Sequence, residues 1–298
     1  MWTRTPGWEI SMAEGFVVAV ASGKGGTGKT TVATNLAKLY AGTGRPAQYL
    51  DCDVEEPNGH IFLKPTITQR RDVMVDVPEV DATKCTGCGQ CGQICQYGAI
   101  VAVGGQVLTF EPLCHSCAGC WLVCPSGALR PKALKIGTLE TGHVGELGFV
   151  SGRLEIGHVR TPSMIHSVKE WIDPEAVAIV DVPPGTSCPV VAALRNVDFV
   201  LLVTEPTPFG LNDLKLAVGL VREMKLPFAV VINREGIGND ETRVWCQAED
   251  ITIAAALPDD RRIAEAYSSG TMIVDALPEY QQMFQTLRER LGERMAVD

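Results

Sequence analysis

Residues 22–31 read Ser-Gly-Lys-Gly-Gly-Thr-Gly-Lys-Thr-Thr and combine a glycine-rich loop with two lysines. They satisfy the spacing Gly23-x4-Gly28-Lys29-Thr30 of a phosphate-binding loop. Glycines let backbone N–H groups converge on phosphate oxygens, and a following helix N-terminus adds positive potential. We expect Lys29 on the β- and γ-phosphates of ATP or ADP and the Thr30 hydroxyl on Mg²⁺. The predicted nucleotide contacts here are Gly23, Lys24, Gly25, Gly26, Thr27, Gly28, Lys29, Thr30 and Thr31.

Cysteine is the second residue type whose spacing indicates chemistry. Of eleven cysteines, eight fall between Cys85 and Cys124 in two similar halves, an internal duplication. The two runs are Cys85-x2-Cys88-x2-Cys91-x3-Cys95 and Cys114-x2-Cys117-x2-Cys120-x3-Cys124. This is the bacterial two-cluster ferredoxin pattern, in which the fourth cysteine of each run binds the other cluster. The predicted [4Fe–4S] ligand sets are therefore Cys85, Cys88, Cys91 and Cys124 for one cluster, and Cys95, Cys114, Cys117 and Cys120 for the other.

Zinc is the alternative metal for these cysteines. Tetrahedral zinc sites use separated Cys-x2-Cys pairs, whereas three cysteines within seven residues, repeated, favour an iron–sulfur cluster. The pattern departs from the ferredoxin one at Gln96, since proline follows only Cys124, as Pro125. We expect that difference to alter the potential of one cluster, and His115 to influence its neighbouring ligands. Cys188 is either a thiol near the nucleotide or a small buried residue, and Cys52 and Cys246 are expected to be structural.

The elements that position these residues follow an alternating pattern of strands and helices. Six apolar runs predict buried strands, and helical periodicity follows the glycine loop and recurs at 211–225. The predicted strands are 16–21, 47–51, 177–181, 199–203, 228–233 and 251–257. Such alternation predicts an α/β fold with a mostly parallel sheet covered by helices. Residues 145–159 are expected to form a hairpin, and the amphipathic tail helix from Glu279 favours core packing over membrane targeting.

The segment Lys24–Thr30, KGGTGKT, resembles the deviant Walker A motif of the MinD/ParA/nitrogenase-iron-protein family. The resemblance implies a homodimer in the ATP state, in which Lys24 reaches the phosphates of the partner subunit. A cation supplied in this way ties hydrolysis to dimer closure, so Lys24 and Lys29 are both assigned catalytic roles. The alternative for Lys24 is a solvated loop lysine.

Later motifs extend the same resemblance. The residues of YLDCDVEEPN resemble switch I, which implies that Asp53 orients the attacking water and places Asp51 beside the metal. Asp181 ends an apolar strand where a Walker B acid belongs, so Mg²⁺ is expected on Thr30, Asp51 and Asp181. Gly185 matches the switch II glycine that senses the γ-phosphate. Asn233 lies where related ATPases read adenine, although a turn-capping asparagine is the alternative.

Composition excludes several other functions. The formal charge of −9 and pI near 5.1 argue against nucleic acid as a partner. The sequence contains no run of eighteen apolar residues, so no membrane span is predicted. The N-terminus lacks the apolar core of a secretory signal. Reduced, clustered cysteines then favour a cytoplasmic protein. Residues 1–14 are expected to be a flexible extension, with Met12 as an alternative start.

These signals predict two domains. A P-loop ATPase domain comprises 1–77 and 137–298, and a small inserted ferredoxin-like α+β module comprises 78–136. The module lies between the two switch segments in the sequence, so it either responds to the γ-phosphate or is an uncoupled insertion. The expected activity is ATP hydrolysis, slow without a partner.

Three functions remain open at this point. The first is nucleotide-gated assembly or delivery of iron–sulfur or related metallocofactors to a client protein. The second is ATP-gated electron transfer from the clusters to a redox partner. The third is a MinD-like positioning switch whose clusters sense redox state. The Cys-Pro-x-Cys motif that holds a transferable cluster in Mrp-type carriers is absent, which weakens simple carriage.

Overall fold

The predicted apolar runs form the central strands of one twisted sheet. The computed structural model describes residues 15–295; the predicted N-terminal extension, Met12 included, lies outside them. The strands are β1 (Phe16–Ala21), β2 (Ala47–Asp51), β3 (Thr66–Val80), β4 (Ile100–Val103), β5 (Gln106–Thr109), β6 (Leu129–Val144), β7 (Leu147–Leu154), β8 (Val177–Asp181), β9 (Phe199–Thr204), β10 (Phe228–Glu235) and β11 (Ile253–Pro258). All six predicted strands are confirmed, with small shifts at their ends.

Helices alternate with these strands along the chain. They are α1 (Lys29–Ala41), α2 (Gly59–Leu63), α3 (Gln90–Ile94), α4 (Gly119–Leu122), α5 (Thr161–Lys169), α6 (Cys188–Leu194), α7 (Pro208–Glu223), α8 (Glu241–Ala248), α9 (Arg261–Ser268), α10 (Ile273–Ala276) and α11 (Gln281–Met295). The predicted helix at 211–225 corresponds to α7. It begins earlier because Pro208 suits a first helical position and Thr207 caps Gly210 N–H.

The main sheet has nine strands in the order β11-β10-β9-β1-β8-β2-β7-β6-β3. The first seven strands in this order, from β11 to β7, are parallel to one another. At the edge of the sheet, β6 is antiparallel to β7, and β3 is antiparallel to β6. The expectation of a mostly parallel α/β sheet is confirmed. The carboxyl ends of β1, β2 and β8 lie together at one edge, which is where ligands bind in open sheets of this kind.

Both faces of the parallel region are buried. On one face, α1 and α11 pack through Val32, Leu36, Phe284 and Leu287, each with no exposed surface. On the other face, α5, α6 and α7 pack through residues such as Met164, Ala193 and Leu214. The core position of α11 confirms that its apolar face packs inside the protein. Covering both faces explains why the central strands are continuous apolar runs.

A long antiparallel ribbon leads from the sheet to the cysteine-rich segment. Strands β3 and β6 pair from Thr66↔His143 at the sheet to Val80↔Leu129 at the far end. The predicted boundaries, 77/78 and 136/137, fall inside these strands, so the ribbon has no break there. Between its ends, residues 81–128 contain α3, α4 and the small sheet β4–β5.

The hairpin expected within 145–159 is wrong. Residues 147–154 form the single strand β7, which pairs antiparallel with the preceding β6 and parallel with β2. The hairpin in the structure is instead formed by β6 and β7. Its turn is Gly145–Glu146, where Gly145 adopts a φ of 58°. The alternating pattern identified a strand, but its antiparallel partner precedes the predicted range.

Candidate functional site

The glycine-rich loop connects β1 to α1 as its spacing predicts. Gly28 precedes the helix with a φ of 93°, and an added Cβ would lie 2.3 Å from Nδ2 of Asn233, so only glycine fits. Lys29, Thr30 and Thr31 form the first turn of α1 and are buried. The buried Oγ1 of Thr27 has no hydrogen-bond partner among the described residues. Loop N–H groups at a helix N-terminus are suited to phosphate.

Asp181 ends β8 directly beside this loop. Its Oδ2 accepts a 2.9 Å hydrogen bond from the Tyr49 hydroxyl, while its buried Oδ1 has no partner within the described part of the chain. Burial raises the pKa of Asp181, and the Lys29 charge and Thr30 hydroxyl oppose that rise. A buried carboxylate oxygen without a partner, next to a threonine hydroxyl and a phosphate loop, fits Mg²⁺ or a water bound to it.

Asp51 ends the neighbouring strand β2, in register with Asp181. Its carboxylate accepts backbone N–H groups from Asp53 at 3.2 Å, Asn58 at 3.1 Å and Gly59 at 2.9 Å. Burial, followed by the adjacent Asp181, raises its pKa well above the ordinary value. The structure thus places Asp51 as an organiser of the loop that carries Asp53. Its predicted role as a metal ligand stays a prediction.

Asp53 faces an open cavity of about 490 Å³ that Pro183, Pro184 and Ser187 also line. Its partial burial raises the pKa of the carboxyl to about 6, opposed by the charge of Lys29. The side chain is therefore close to the phosphate end of the site while water still reaches it. That position suits the predicted contact with an attacking water.

Lys24 is held within its own chain. Its Nζ lies 3.4 Å from Oε2 of Glu205, which follows β9, and Arg234 Nη1 lies 3.4 Å from Oε1 of the same carboxylate. The Lys24 side chain is 34% exposed and that of Glu205 is 10% exposed. Glu205 was not identified from the sequence. The available signal was its place directly after an apolar strand, where polar side chains meet the site edge.

Gly185 and Asn233 both donate hydrogen bonds to backbone carbonyls of the glycine-rich segment 22–31. Gly185, with a φ of 95°, donates its N–H to the carbonyl of Ser22 at 3.0 Å. Asn233 donates from Nδ2 to the carbonyl of Thr27 at 2.8 Å. In this conformation the Gly185 N–H is therefore occupied by the Ser22 carbonyl, and the Asn233 side chain supports the loop. Their predicted contacts with nucleotide stay predictions.

The two cysteine loops share one backbone conformation. Gly87 and Gly89 flank Cys88 with φ of 68° and 77°, and Ser116 and Ala118 flank Cys117 with φ of 55° and 65°. Such values are unfavourable for serine and alanine and are retained where a loop must aim its groups at a ligand. The Ser116 N–H donates to Cys114 Sγ at 3.3 Å, as expected for a sulfur ligand.

The fourth cysteine of the second run lies with the first run. Cys124 lines one cavity together with Cys85, Cys88 and Cys91. Burial raises the pKa of Cys91, and Cys124 and Cys88 add to the rise; burial likewise raises that of Cys120 to about 11, with Cys114 contributing. Cys95 packs against two small apolar clusters, one containing Cys114 and the other containing Cys91 and Cys120. The place of Cys124 is the one that two ferredoxin-type clusters need, and the predicted place of Cys95 in the other set stays a prediction.

Over residues 15–295, no three His, Cys, Asp or Glu side chains are grouped closely enough to hold one metal ion. Cys85, Cys88, Cys91 and Cys124 nevertheless line one shared cavity, and they are the set that the sequence assigns to one cluster. The choice between zinc and an iron–sulfur cluster therefore rests on the spacing of the cysteines.

The remaining predicted residues lie apart from this set. His115 stacks on Tyr97 with ring centroids 3.7 Å apart, next to Cys114. Cys188 is exposed at the start of α6, whereas Cys52 and Cys246 are buried, and burial raises the pKa of both thiols. Within the described residues, no helix has the length and apolar character needed to cross a membrane.

Known proteins share this combination of loop and fold. Residues 18–273 match the CbiA family, the CobQ/CobB/MinD/ParA nucleotide binding domain. The protein MJ0579 of Methanocaldococcus jannaschii is 32% identical over 262 residues, covering 87% of this chain and 91% of its own. An iron-sulfur cluster carrier protein of Pyrococcus horikoshii is 25% identical over 277 residues, covering 87% of this chain and 79% of its own.

Solved structures confirm the architecture. The septum site-determining protein MinD of Pyrococcus horikoshii, in complex with Mg-ADP, superimposes with a TM-score of 0.56 and 21% sequence identity. The superposition covers 95% of this chain and 98% of that one. At this identity the likeness establishes the fold.

Proposed function

The chain belongs to the CobQ/CobB/MinD/ParA nucleotide-binding family, and on that premise we propose that it is a Mg²⁺-dependent ATPase that assembles or delivers iron–sulfur clusters on a partner protein. The observation that carries the proposal is the pairing of a phosphate site with two sets of four cysteines on one chain. Similarity to a protein named as an iron-sulfur cluster carrier supports it.

Hydrolysis is assigned to residues at the carboxyl edge of the sheet. Lys29 and the loop N–H groups bind the phosphates, and Thr30 with Asp181 Oδ1 binds Mg²⁺, which neutralises charge on the phosphates. Asp53 orients the attacking water, since its carboxylate faces the open cavity beside Lys29. Asp51 holds the Asp53 loop through its three backbone hydrogen bonds.

Dimerisation is assigned to the ATP state. Lys24 leaves Glu205 and contacts the phosphates bound by the partner subunit, so that catalysis requires two chains. Its partial exposure and single 3.4 Å ion pair support this role, because a weak, solvent-reached pair is readily exchanged. Hydrolysis by the isolated chain is accordingly slow.

The cysteine segment holds the clusters. Cys85, Cys88, Cys91 and Cys124 bind one [4Fe–4S] cluster, and Cys95, Cys114, Cys117 and Cys120 bind the other. The clusters supply electron storage or iron and sulfide for a client. Cys88 and Cys117 are exposed, so each set has one ligand at the surface where a client docks.

Electron transfer is the second candidate. Four protein sulfurs per set leave no open ligand position, an arrangement that retains a cluster and favours passing electrons. In that function the ATP cycle gates electron flow from the clusters to a redox partner. The two candidates share every residue assigned above and differ in what leaves the protein.

One experiment tests the proposal and separates the candidates. Anaerobically purified protein with ⁵⁷Fe-labelled clusters is mixed with the apo form of a [4Fe–4S] acceptor enzyme, with and without Mg-ATP. We expect labelled iron to move to the acceptor faster with ATP, and Lys29→Ala to remove that difference. A parallel arm mixes dithionite-reduced protein, freed of excess dithionite, with the oxidised holo form of the same acceptor. Iron that stays on the chain in both arms while Mg-ATP speeds reduction of the holo acceptor's cluster would instead establish electron transfer. Protein that contains no iron or does not bind ATP would overturn both.

A further inference from the structure

Two adjacent polar residues at the start of α5 connect the two predicted domains. Arg160 is 1% exposed and Thr161 is 5% exposed, and neither belongs to a motif of the sequence. Their side chains contact different regions of the chain, one in the loop of Asp53 and the other in the cysteine segment. A buried pair with this division of contacts requires an explanation beyond packing.

Thr161 contacts the nucleotide side. Its hydroxyl donates a 2.6 Å hydrogen bond to Oε1 of Glu55, two residues after Asp53. The same loop is fixed by Asp51 at its base and by a 2.8 Å bond from Leu154 N–H to the carbonyl of Val54. Any movement of Asp53 toward a γ-phosphate therefore changes the position of Glu55 and its bond to Thr161.

Arg160 contacts the cysteine side. Its Nη2 donates to the backbone carbonyl of Glu111, and that same carbonyl accepts the N–H of Cys114 at 3.1 Å. Lys132 holds the Glu111 side chain at 2.8 Å. One carbonyl oxygen thus joins the guanidinium directly to the backbone of a predicted cluster ligand.

The environment of Arg160 is costly for a cation. Its Nη1 donates to His158 Nδ1 at 3.0 Å, its buried Nε has no partner, and no carboxylate lies within 4 Å among the described residues. A buried guanidinium without a counter-charge lowers stability, so packing alone does not account for an arginine at this position. The carbonyl of Glu111 links the guanidinium to the backbone N–H of Cys114, and hydrogen bonds around the ligands tune the potential of a cluster.

The helix behind the pair is rigid. Met164, Ile165 and Val168 of α5 are fully buried in one apolar core. A displacement at Thr161 therefore shifts Arg160 with it, because the first turn cannot absorb the change independently of the packed helix.

We propose that Thr161 and Arg160 transmit the nucleotide state of the Asp53 loop to the cysteine set of Cys114, as positioning residues that act through Glu55 and through the carbonyl of Glu111. The inference rests on the proposed function. Linkage makes the coupling reciprocal, so the oxidation state of the clusters must change the affinity for nucleotide.

Holoprotein under anaerobic conditions tests this with two readouts. The first is the Kd of a fluorescent ATP analogue for oxidised and dithionite-reduced protein. The second is the EPR line shape of the reduced clusters with and without a non-hydrolysable ATP analogue. In wild type we expect the Kd to differ by about 5-fold or more between oxidation states. In Thr161→Val, which keeps the shape but removes the hydroxyl, we expect a difference below about 2-fold and no EPR change with nucleotide.

Two further variants complete the design. Arg160→Lys keeps the charge but loses the forked contact, and we expect it to retain part of the coupling. Ser167→Ala removes a hydroxyl on the same helix that has no hydrogen-bond partner among the described residues, and it must behave as wild type. A Thr161→Val protein with normal iron, normal binding and full coupling would overturn this inference alone. Wild-type protein without iron or nucleotide binding would overturn the proposed function.

Discussion

Lys24 and Glu205 of the same chain form an ion pair, with Nζ 3.4 Å from Oε2. Lys24 is the residue that we assign to the phosphates of the partner subunit. In the single chain, Glu205 therefore holds it within its own subunit. Glu205 also binds Arg234, so the carboxylate remains in place when Lys24 leaves. In the proposed homodimer, each chain breaks this partly exposed ion pair and its Lys24 contacts phosphate instead.

Removing the carboxylate should release Lys24. We expect Glu205→Gln to strengthen dimerisation with an ATP analogue by up to about 5-fold for each of the two pairs released per dimer, since a partly exposed pair contributes about 1 kcal/mol or less. Sedimentation velocity over a concentration series measures this. Asp275→Asn, which breaks the exposed ion pair with Lys38, is the matched control. Dimerisation weaker than wild type would show that Glu205 does not restrain Lys24.

Replacing Lys24 and replacing Lys29 should have different effects on nucleotide binding and turnover. We expect Lys24→Ala to bind nucleotide normally but to lose about 10²-fold or more in turnover, because its charge acts only in the closed dimer. Lys29→Ala should lose both binding and turnover, since Lys29 contacts the phosphates of its own chain. Calorimetry and phosphate release measure the two properties. A monomeric Lys24→Ala protein with normal turnover would refute the role in trans.

Turnover should fall in acid as Asp53 is protonated. Burial raises the pKa of this carboxyl to about 6, so the acceptor for the attacking water is lost below that pH and present above it. We expect an acidic limb near pH 6 in the pH profile of phosphate release. Asp53→Asn should lower turnover and abolish the limb in the residual activity. A limb that persists in Asp53→Asn belongs to another group, such as Asp51 or Asp181, whose pKa values are also raised.

Cysteine variants test the crossed ligand sets. Anaerobic wild-type protein should contain about eight irons per chain, as two four-iron clusters require. Cys124→Ser should lose the cluster of Cys85, and Cys95→Ser the cluster of Cys114, each leaving about four irons. Cys188→Ser is the control, because this exposed thiol starts α6 outside both sets. Iron analysis and EPR provide the readout, and one zinc per chain without iron would contradict the assignment.

Replacement by alanine should affect stability at one glycine of the loop and not at another. At Gly28 a Cβ would lie 2.3 Å from Asn233 Nδ2 and φ is 93°, whereas at Gly25 no atom lies within 4 Å. We expect Gly28→Ala to lower the free energy of unfolding by about 1–3 kcal/mol, because alanine is strained at that φ. Gly25→Ala should leave it unchanged within error. Urea denaturation compares the two, and equal stabilities would mean that the loop relaxes around the added atom.

Local spacing was sufficient to predict the strands and the glycine loop, while the cysteine ligand sets, which rest on the same kind of local spacing, stay predictions. Each of these depends on residues close together in sequence, such as the strand Val177–Asp181 or the repeated run from Cys114. The periodicity of β7 likewise indicated a strand. It did not indicate the partners, because β7 pairs with β6 on one side and with β2 on the other.

Contacts between distant segments were not predictable. Glu205 meets Lys24, and Arg160 meets Glu111, only because the sheet order brings their strands and loops together. Nothing in the local sequence of Arg160 distinguishes it from a surface arginine, yet it is one of the most buried side chains. The backbone hydrogen bonds accepted by Asp51 are of the same kind, since they depend on the fold of residues 52–59.

The pairing of Val80 with Leu129 has an evolutionary consequence. Because paired residues lie about 5 Å apart, everything between them enters and leaves the fold at one point. A single insertion at the tip of a β3–β6 hairpin is enough to add the whole cysteine-rich segment 81–128, and a single deletion restores a plain ribbon. Descendants of one ancestor can therefore differ in this segment while sharing the same nucleotide-binding scaffold.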